Sequence, residues 1–416
     1  MVPLRLAWFS PLPPVRSGVA AYSAELLPHL RGAFVIDSYP ETAAHDFVWR
    51  HRRTPYDLIV YQLGNASCHD YQWAYIARYP GLVVLHDAKL HHARARQLLQ
   101  HQRVDDYRRE FRYNHPIANP DFAEYAALGL GGPIYYFWPM RRVVMNAARL
   151  VCVHSSIVAA DLRAECPEVR VDTLRMGVPA LPCAADARIS VRRRLNLPSD
   201  AVVFAAFGKV TPEKRIASIL AALNVIAEEG YPAFLMLVGD ADGYDMLRKQ
   251  FEHYGVTDRV RVTGHVADAA IADHLAAADA CLCLRWPTAQ EFSASWLRCL
   301  AAGRPTVLSD LAHLADIPDS VALRVDLLDE AATIAAAMRT LATDPTARQR
   351  IGRAGYEYWI ANHTIEAMAE DYRRLLPIAA SAPLPPRIDL PAHFMDDHSD
   401  VATAILRRFE ISTDIL

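Results

Sequence analysis

The chain has 416 residues, 52% of them hydrophobic, enough for roughly two to three domains with sizeable cores. Its 44 Lys and Arg against 47 Asp and Glu leave a net charge of −3, which excludes a dedicated nucleic-acid binder, because such a protein carries a basic excess. The 7 cysteines, an odd number with no Cys-x-x-Cys pair, exclude a disulfide scaffold and point to reduced thiols in a cytosolic protein.

The N-terminus reaches Ser10 and Pro11 too soon for a signal peptide. No apolar run attains the ~20 residues of a membrane span; residues 125–140 come nearest, but glycine and proline interrupt them.

In chain order, residues 4–9 predict a short buried strand. The loop after it passes through Gly18 into a helix with Val19, Tyr22, Leu26 and Leu30 on its apolar face. Having no Cβ, Gly18 lets a ligand approach the backbone at this junction, although an ordinary βα turn also uses glycine. Residues 57–61 and 82–85 are apolar bursts of the kind found in buried parallel strands. Polar residues end each: Gln62, Gly64, Asn65 and His69 after the first, His86 and Asp87 after the second. Ligands of an open parallel sheet sit beyond the carboxyl ends of its strands, so these are site candidates as well as turn formers. Residues 91–115 are helical and rich in arginine. They read either as a face for a phosphate-bearing ligand or a membrane surface or as a solvated face, with Asp105, Asp106 and Glu110 diluting the charge. Tyr135, Tyr136, Phe137 and Trp138 are expected to fill a core rather than stack on a ligand. A strand at 150–153 leads to His154, Ser155 and Ser156, a helix, a strand at 171–174 and a linker at 179–190.

The second half opens with a basic helix at 191–195, then a strand, Gly208, a loop and a helix. Lys209 falls on the loop and Lys214 at the helix start, where the helix dipole mildly disfavours a cation; an anion nearby would account for both. Strands at 234–238 and 260–262 follow, the second ending in the turn Thr263, Gly264, His265, Val266. Asp240 and Asp242 are spaced like a metal-binding pair, but they sit on an ordinary βα loop. Residues 280–284 form a short strand, broken by Pro287. Residues 293–302 place Trp296, Leu297 and Leu300 on a buried helix face, Gly303 stops the helix, and 306–308 begin the next strand. A strand feeding a loop and a helix presents free N–H groups and the positive end of the helix dipole, and a nucleoside diphosphate is the natural guest. Beyond it come a strand near Leu323, helices at 330–342, 345–360 and 364–376, and a tail in which 397–409 are expected to form one more helix.

The stretch from Arg285 to Asp310 resembles the donor-binding motif of retaining glycosyltransferase family 4, whose members have the GT-B fold. Ala301, Gly303 and Pro305 keep the family's Ala-x-Gly-x-Pro helix ending. Counting back from Gly303, Arg298 stands where the family carries the glutamate that usually binds ribose, and Gln290 where it carries the other, with Glu291 one residue later. The resemblance implies an α/β GT-B architecture of two Rossmann-like domains with parallel sheets facing across a cleft. Residues 1–180 would form the acceptor-side domain and 190–363 the nucleotide-sugar domain, 364–376 a helix crossing back to the first domain, and 377–416 a tail.

For the site, the resemblance implies catalytic roles for His86, touching the transferred sugar, for Lys209 and Lys214, neutralising the leaving diphosphate, and for Glu291, orienting the sugar. Lys209 replaces an arginine of the family. Donor binding falls to Gly18, Gly208, the base-binding turn with Gly264 and Val266, and the helix start with Phe292, Ser293, Ala294 and Ser295. Arg298 is expected to reach back along its helix to Glu291 or to the diphosphate. Asn65, His69 and Asp87 are the acceptor-side candidates. No metal and no cofactor are implied beyond the nucleotide-sugar co-substrate, and the acceptor would be a carbohydrate or a lipid-linked one, with peripheral contact at the inner membrane face. The implied reaction moves a sugar to a hydroxyl with retention, the leaving phosphate taking the acceptor's proton. A GT-B scaffold subunit without catalysis, motivated by Arg298 and Gln290, is the rival from another class. A nucleotide-sugar epimerase or a phosphorylase is the rival enzyme, the latter lacking any local case for a pyridoxal-linked lysine.

Overall fold

The computed structural model describes residues 3–386, 389–395 and 399–411. Among the described residues, twelve short strands form two six-stranded parallel sheets. The first contains β1 (Arg5–Phe9), β2 (Val35–Tyr39), β3 (Leu58–Leu63), β4 (Leu82–Leu85), β5 (Leu150–Val153) and β6 (Val171–Thr173), in the order β2-β1-β3-β4-β5-β6. The second contains β7 (Val202–Phe207), β8 (Ala233–Val238), β9 (Val260–Val262), β10 (Ala280–Cys283), β11 (Thr306–Ser309) and β12 (Leu323–Val325), in the order β12-β11-β10-β7-β8-β9.

Strands such as LIVYQL in β3 and LVVL in β4 are buried along their whole length, because helices cover both faces of each sheet. Alternation then sorts side chains between two cores. Leu6 and Trp8 of β1 join one cluster, Ala7 and Phe9 the other. Each sheet reverses its strand order at one place, between β1 and β3 in the first and between β7 and β10 in the second. At such a point the loops leaving the two neighbouring strands part to opposite faces and open a crevice at their carboxyl ends. The crevice of the second sheet therefore lies between the loop carrying Gly208 to Lys214 and the loop from Leu284 to Ser293.

Between β4 and β5 the chain makes a helical insertion, His91–Leu99, Val104–Asn114, Asp121–Ala127, Ile134–Phe137 and Arg142–Ala147. The arginine-rich stretch is thus two helices, not one, broken where Gln102 adopts a left-handed φ of 57°. Leu98, Tyr107, Phe111 and Met140 form a small separate core against which Tyr135 and Trp138 pack. The expectation that all four aromatics fill a core fails at Phe137, which is 77% exposed. Five arginines of residues 91–115 are spent in ion pairs, four of them within the insertion. Arg94 pairs with Glu110, Arg96 with Asp70, Arg103 and Arg109 with Asp106, and Arg108 with Asp105 and Glu124.

The helix Ala187–Arg194 starts inside the stretch read as linker, so the irregular connection is shorter than expected. Near the C-terminus the helix Ile365–Ser381, capped by Thr364, lies on the first domain. Asp371 accepts from the backbone and guanidinium of Arg175 at 2.8 to 2.9 Å, and Tyr372 bonds the hydroxyl of Tyr22 at 2.9 Å. In the tail, a helix spans Ser399–Arg408, shorter than the expected one, whose start at 397–398 lies outside the described residues. No helix among the described residues is long and apolar enough to cross a membrane.

Candidate active site

A cavity lies in the crevice of the second sheet. Its lining includes Phe207, Lys214, Cys283, Arg285, Thr288, Glu291, Ser293, Ser295, Ser309 and His313. Lys214 ends a short turn, Pro212–Lys214, and its Nζ donates to the Phe207 carbonyl. Burial, and after it the nearby Arg285 guanidinium, bring its pKa down to about 7. Gly208 has a φ of +88°, and a Cβ on it would stand 2.9 Å from the Lys214 Nζ and 3.3 Å from the Ser295 hydroxyl. Only glycine both adopts that backbone and leaves the ammonium in place.

Opposite Lys214 starts the helix Ala294–Ala301. Ser293 is its N-cap, accepting from the Trp296 amide at 3.2 Å. The Ala294 and Ser295 amides at the positive end of this helix have no partner among the described residues. Two potential cations, these amides and two hydroxyls thus converge on one cavity, the donor set for an anion with several oxygens.

Glu291 is held from three sides. Its Oε2 accepts from the Thr288 hydroxyl and the Ala289 amide, both at 2.9 Å, and its Oε1 pairs with Arg285 at 2.8 Å. Gln290, at a φ of 60°, turns the other way, toward Arg141 of the first domain. Phe292 is buried and stacks on His363 at 5.4 Å, so its side chain wedges the loop against the core rather than facing a ligand.

The first domain brings its own loops to the mouth of this cavity. The Ala88 and Lys89 amides both donate to the Ala289 carbonyl at 3.0 Å, and the Ser155 hydroxyl donates to the His313 carbonyl at 2.8 Å. Asp87 accepts from the Asn65 amide at 2.7 Å; burial, and then the charge of Glu291, push its carboxyl up to about 7. His69 is buried, with Nδ1 on the Gln62 carbonyl at 2.8 Å, and desolvation lowers it to about 4. Asn65 spends its amide group on the Lys89 carbonyl and the Ala93 amide, a loop-holding role. A Cβ at Gly18 would meet no protein atom within 4 Å, so the space above that backbone is open.

Several sequence-predicted residues are placed elsewhere. His86 directs Nε2 to the Gln62 side chain at 2.8 Å and Nδ1 toward His154, so neither ring nitrogen is offered to the cleft; burial keeps the ring neutral. Lys209 is exposed and does not line the cavity. Gly264, with a φ of +70°, makes the turn after β9, but Val266 leans its side chain on a hydrophobic cluster. Asp240 accepts from the Asp242 amide at 2.9 Å, an ordinary loop contact. Arg298 does not reach Glu291. Glu291 is already taken by Arg285, and Arg298 crosses to Glu25 of the first domain at 2.5 Å.

Arg285, Arg141 and His92 are not among the residues expected from the sequence, and Tyr136, expected to fill a core, joins no hydrophobic cluster among the described residues. Tyr136 lies in the field of Glu213, Glu291, Arg285 and Asp87, and its ring meets His92 at 4.6 Å. Arg285 stands two residues past the end of β10, so the rule that marks polar residues at strand ends would have found it.

Residues 201–344 match the family model described as Glycosyl transferases group 1. A curated relative, the lipopolysaccharide core biosynthesis glycosyltransferase LpsD of Rhizobium meliloti (strain 1021), is 28% identical over 231 residues, which are 55% of this chain. The matched stretch spans 63% of that relative's length. Among solved structures, the sucrose-phosphate synthase of Thermosynechococcus elongatus superposes with a TM-score of 0.67 at 19% identity, covering 91% of this chain and all of the other. HepE of Anabaena in complex with UDP gives 0.62 at 16% identity, covering 90% of this chain and 100% of that one. WaaG, a glycosyltransferase involved in lipopolysaccharide biosynthesis, gives 0.61 at 14%, covering 90% and 100%. The fold is GT-B.

Proposed function

We propose that this chain transfers a sugar, with retention, from a nucleoside diphosphate sugar to an acceptor hydroxyl in the assembly of lipopolysaccharide or another polysaccharide. The observation that carries the reading is the convergence of Lys214, Arg285 and the Ala294 and Ser295 amides on one cavity at the strand-order reversal of the group 1 domain. The names of LpsD and WaaG support the biosynthetic setting, and UDP bound to HepE supports a nucleotide donor.

The chemical demand of the reaction is the charge that builds on the departing diphosphate. Preorganised donors meet it, each worth roughly 3 to 4 kcal/mol in a water-poor site. Lys214 and Arg285 supply charge, and the Ala294–Ala301 helix supplies amides. Glu291, fixed by Thr288, Ala289 and Arg285, orients the sugar hydroxyls. Asp87, with a carboxyl near neutral pKa on the facing loop, holds the acceptor hydroxyl. The acceptor approaches on the face the diphosphate leaves, and a phosphate oxygen takes its proton, so the chain needs no strong base.

The test is calorimetry of the whole chain with uridine, guanosine, thymidine and adenosine diphosphates, followed by turnover of the matching sugar nucleotides. At least one is expected to bind. Absence of binding by all four at millimolar concentration refutes the donor site, and binding without transfer or hydrolysis in any sugar-nucleotide panel leaves a scaffold subunit instead.

A further inference from the structure

Arg298 and Glu25 join the two domains. The Arg298 guanidinium, on the helix Ala294–Ala301, donates to Glu25 Oε1 at 2.5 Å, on the helix Gly18–Leu30. The arginine side chain is 11% exposed and the glutamate 23%, so the carboxylate is sheltered yet reachable from the cleft. The bond uses one oxygen. Oε2 has no hydrogen-bond partner among the described residues. Burial raises the pKa of Glu25, Arg298 opposes this, and the like charge of Asp268 adds to it.

Two neighbours fix where this pair lies. Asp268 opens the helix Asp268–Ala277, directly after the turn that Gly264 makes at the carboxyl end of β9. Ser295, one helical turn before Arg298, lines the cavity that holds Lys214. A turn of helix rises about 5.4 Å, on the scale of a pentose ring. A ligand running from the cavity toward the helix that Asp268 opens therefore passes beside the Glu25–Arg298 pair.

We propose that Glu25, held by Arg298, binds the ribose hydroxyls of the donor nucleotide through its free Oε2. This rests on the donor site proposed above. The chemistry suits the group: a hydroxyl donates, an ionised carboxylate accepts only, and such charge-assisted bonds are the stronger kind. A carboxylate on a ribose hydroxyl is also how other nucleotide-binding α/β folds read that sugar. Here the carboxylate comes from the domain opposite the phosphate cavity, and the arginine on the phosphate-side helix positions it. Donor binding is thereby tied to the approach of the two domains.

The experiment compares, by calorimetry on the full chain, uridine, guanosine and adenosine diphosphates with their 2′,3′-dideoxy counterparts. Wild type is expected to bind the tightest ribonucleotide about ten- to a hundredfold better than its dideoxy form, the size of a hydrogen bond to a charged group. The double variant Glu25→Ala with Arg298→Leu leaves no unpaired charge and should bring the two affinities within about threefold. Glu25→Gln, which keeps the volume, should give an intermediate ratio and decides the matter if the double variant does not fold. A wild-type ratio near one, or the wild-type ratio retained in the folded variants, overturns this inference and leaves the donor site standing. Failure of every diphosphate to bind wild type overturns both.

Discussion

Removing the charge of Lys214 tests the donor site at its centre. With its pKa near 7 in the free protein, the ammonium is about half formed at pH 7 and about a hundredth formed at pH 9. Burial and the adjacent Arg285 disfavour the charged form, while an arriving diphosphate favours it, so the pKa rises on binding and the complex takes up a proton. If the bound lysine stays charged throughout, affinity falls about fiftyfold from pH 7 to pH 9, or ~2.3 kcal/mol. Calorimetry across this range, in buffers of differing ionisation enthalpy, reads both the affinity and the proton uptake. Lys214→Met should weaken binding at pH 7 by about tenfold or more and flatten the curve. A slope that persists in the variant reports the titration of the diphosphate itself and of Asp87, which also titrates near 7 and gains negative charge as pH rises. Wild-type affinity that stays level between pH 7 and 9, or an identical slope in Lys214→Met, refutes the assignment of Lys214 to the diphosphate.

Other substitutions probe the rest of the site. Glu291→Gln should lower turnover by about a hundredfold while nucleoside diphosphate affinity changes little, because its carboxylate is assigned to the sugar; a large loss of diphosphate binding would contradict that division. Gly208→Ala forces a Cβ onto a φ of +88° and to 2.9 Å from the Lys214 Nζ, so denaturant melts should show ~1 to 2 kcal/mol of lost stability together with weaker diphosphate binding. Asp371→Ala removes the partner of Arg175 and should cost ~1 to 3 kcal/mol. Burial raises the Asp371 pKa, but the Arg175 bonds more than offset it and the net shift is downward. Its contribution is therefore present above the unfolded carboxylate pKa and fades as pH falls through the folded one, and acid denaturation of the variant should begin from a lower plateau with a shallower slope.

The amino-acid sequence alone carried every strand but β2, since a strand buried on both faces is an unbroken apolar run and needs no partner to be recognised, whereas β2, VIDSY, is an edge strand only partly buried and shows no such run. It also carried the proposed anion site in outline: Lys214 and Ser293 at helix starts are local signals, and a helix terminus can bind an anion wherever it points. The strand-order reversals that place those signals together belong to the tertiary structure, because parallel neighbours are joined through distant connections. Side-chain partners were decided there as well. Arg298 lies within reach of Glu291 along the chain, yet Arg285 claims that carboxylate and Glu25 claims the arginine, 273 residues away in sequence. His86 stands at a strand end as expected, but Gln62 and His154 turn its ring inward, whereas Lys209 and Lys214, five positions apart by number, end one in solvent and one in the cavity. A residue's type states what it can bond. Which bond it makes depends on the nearest competing charge and on the space left by packing, and only the folded chain brings those competitors together.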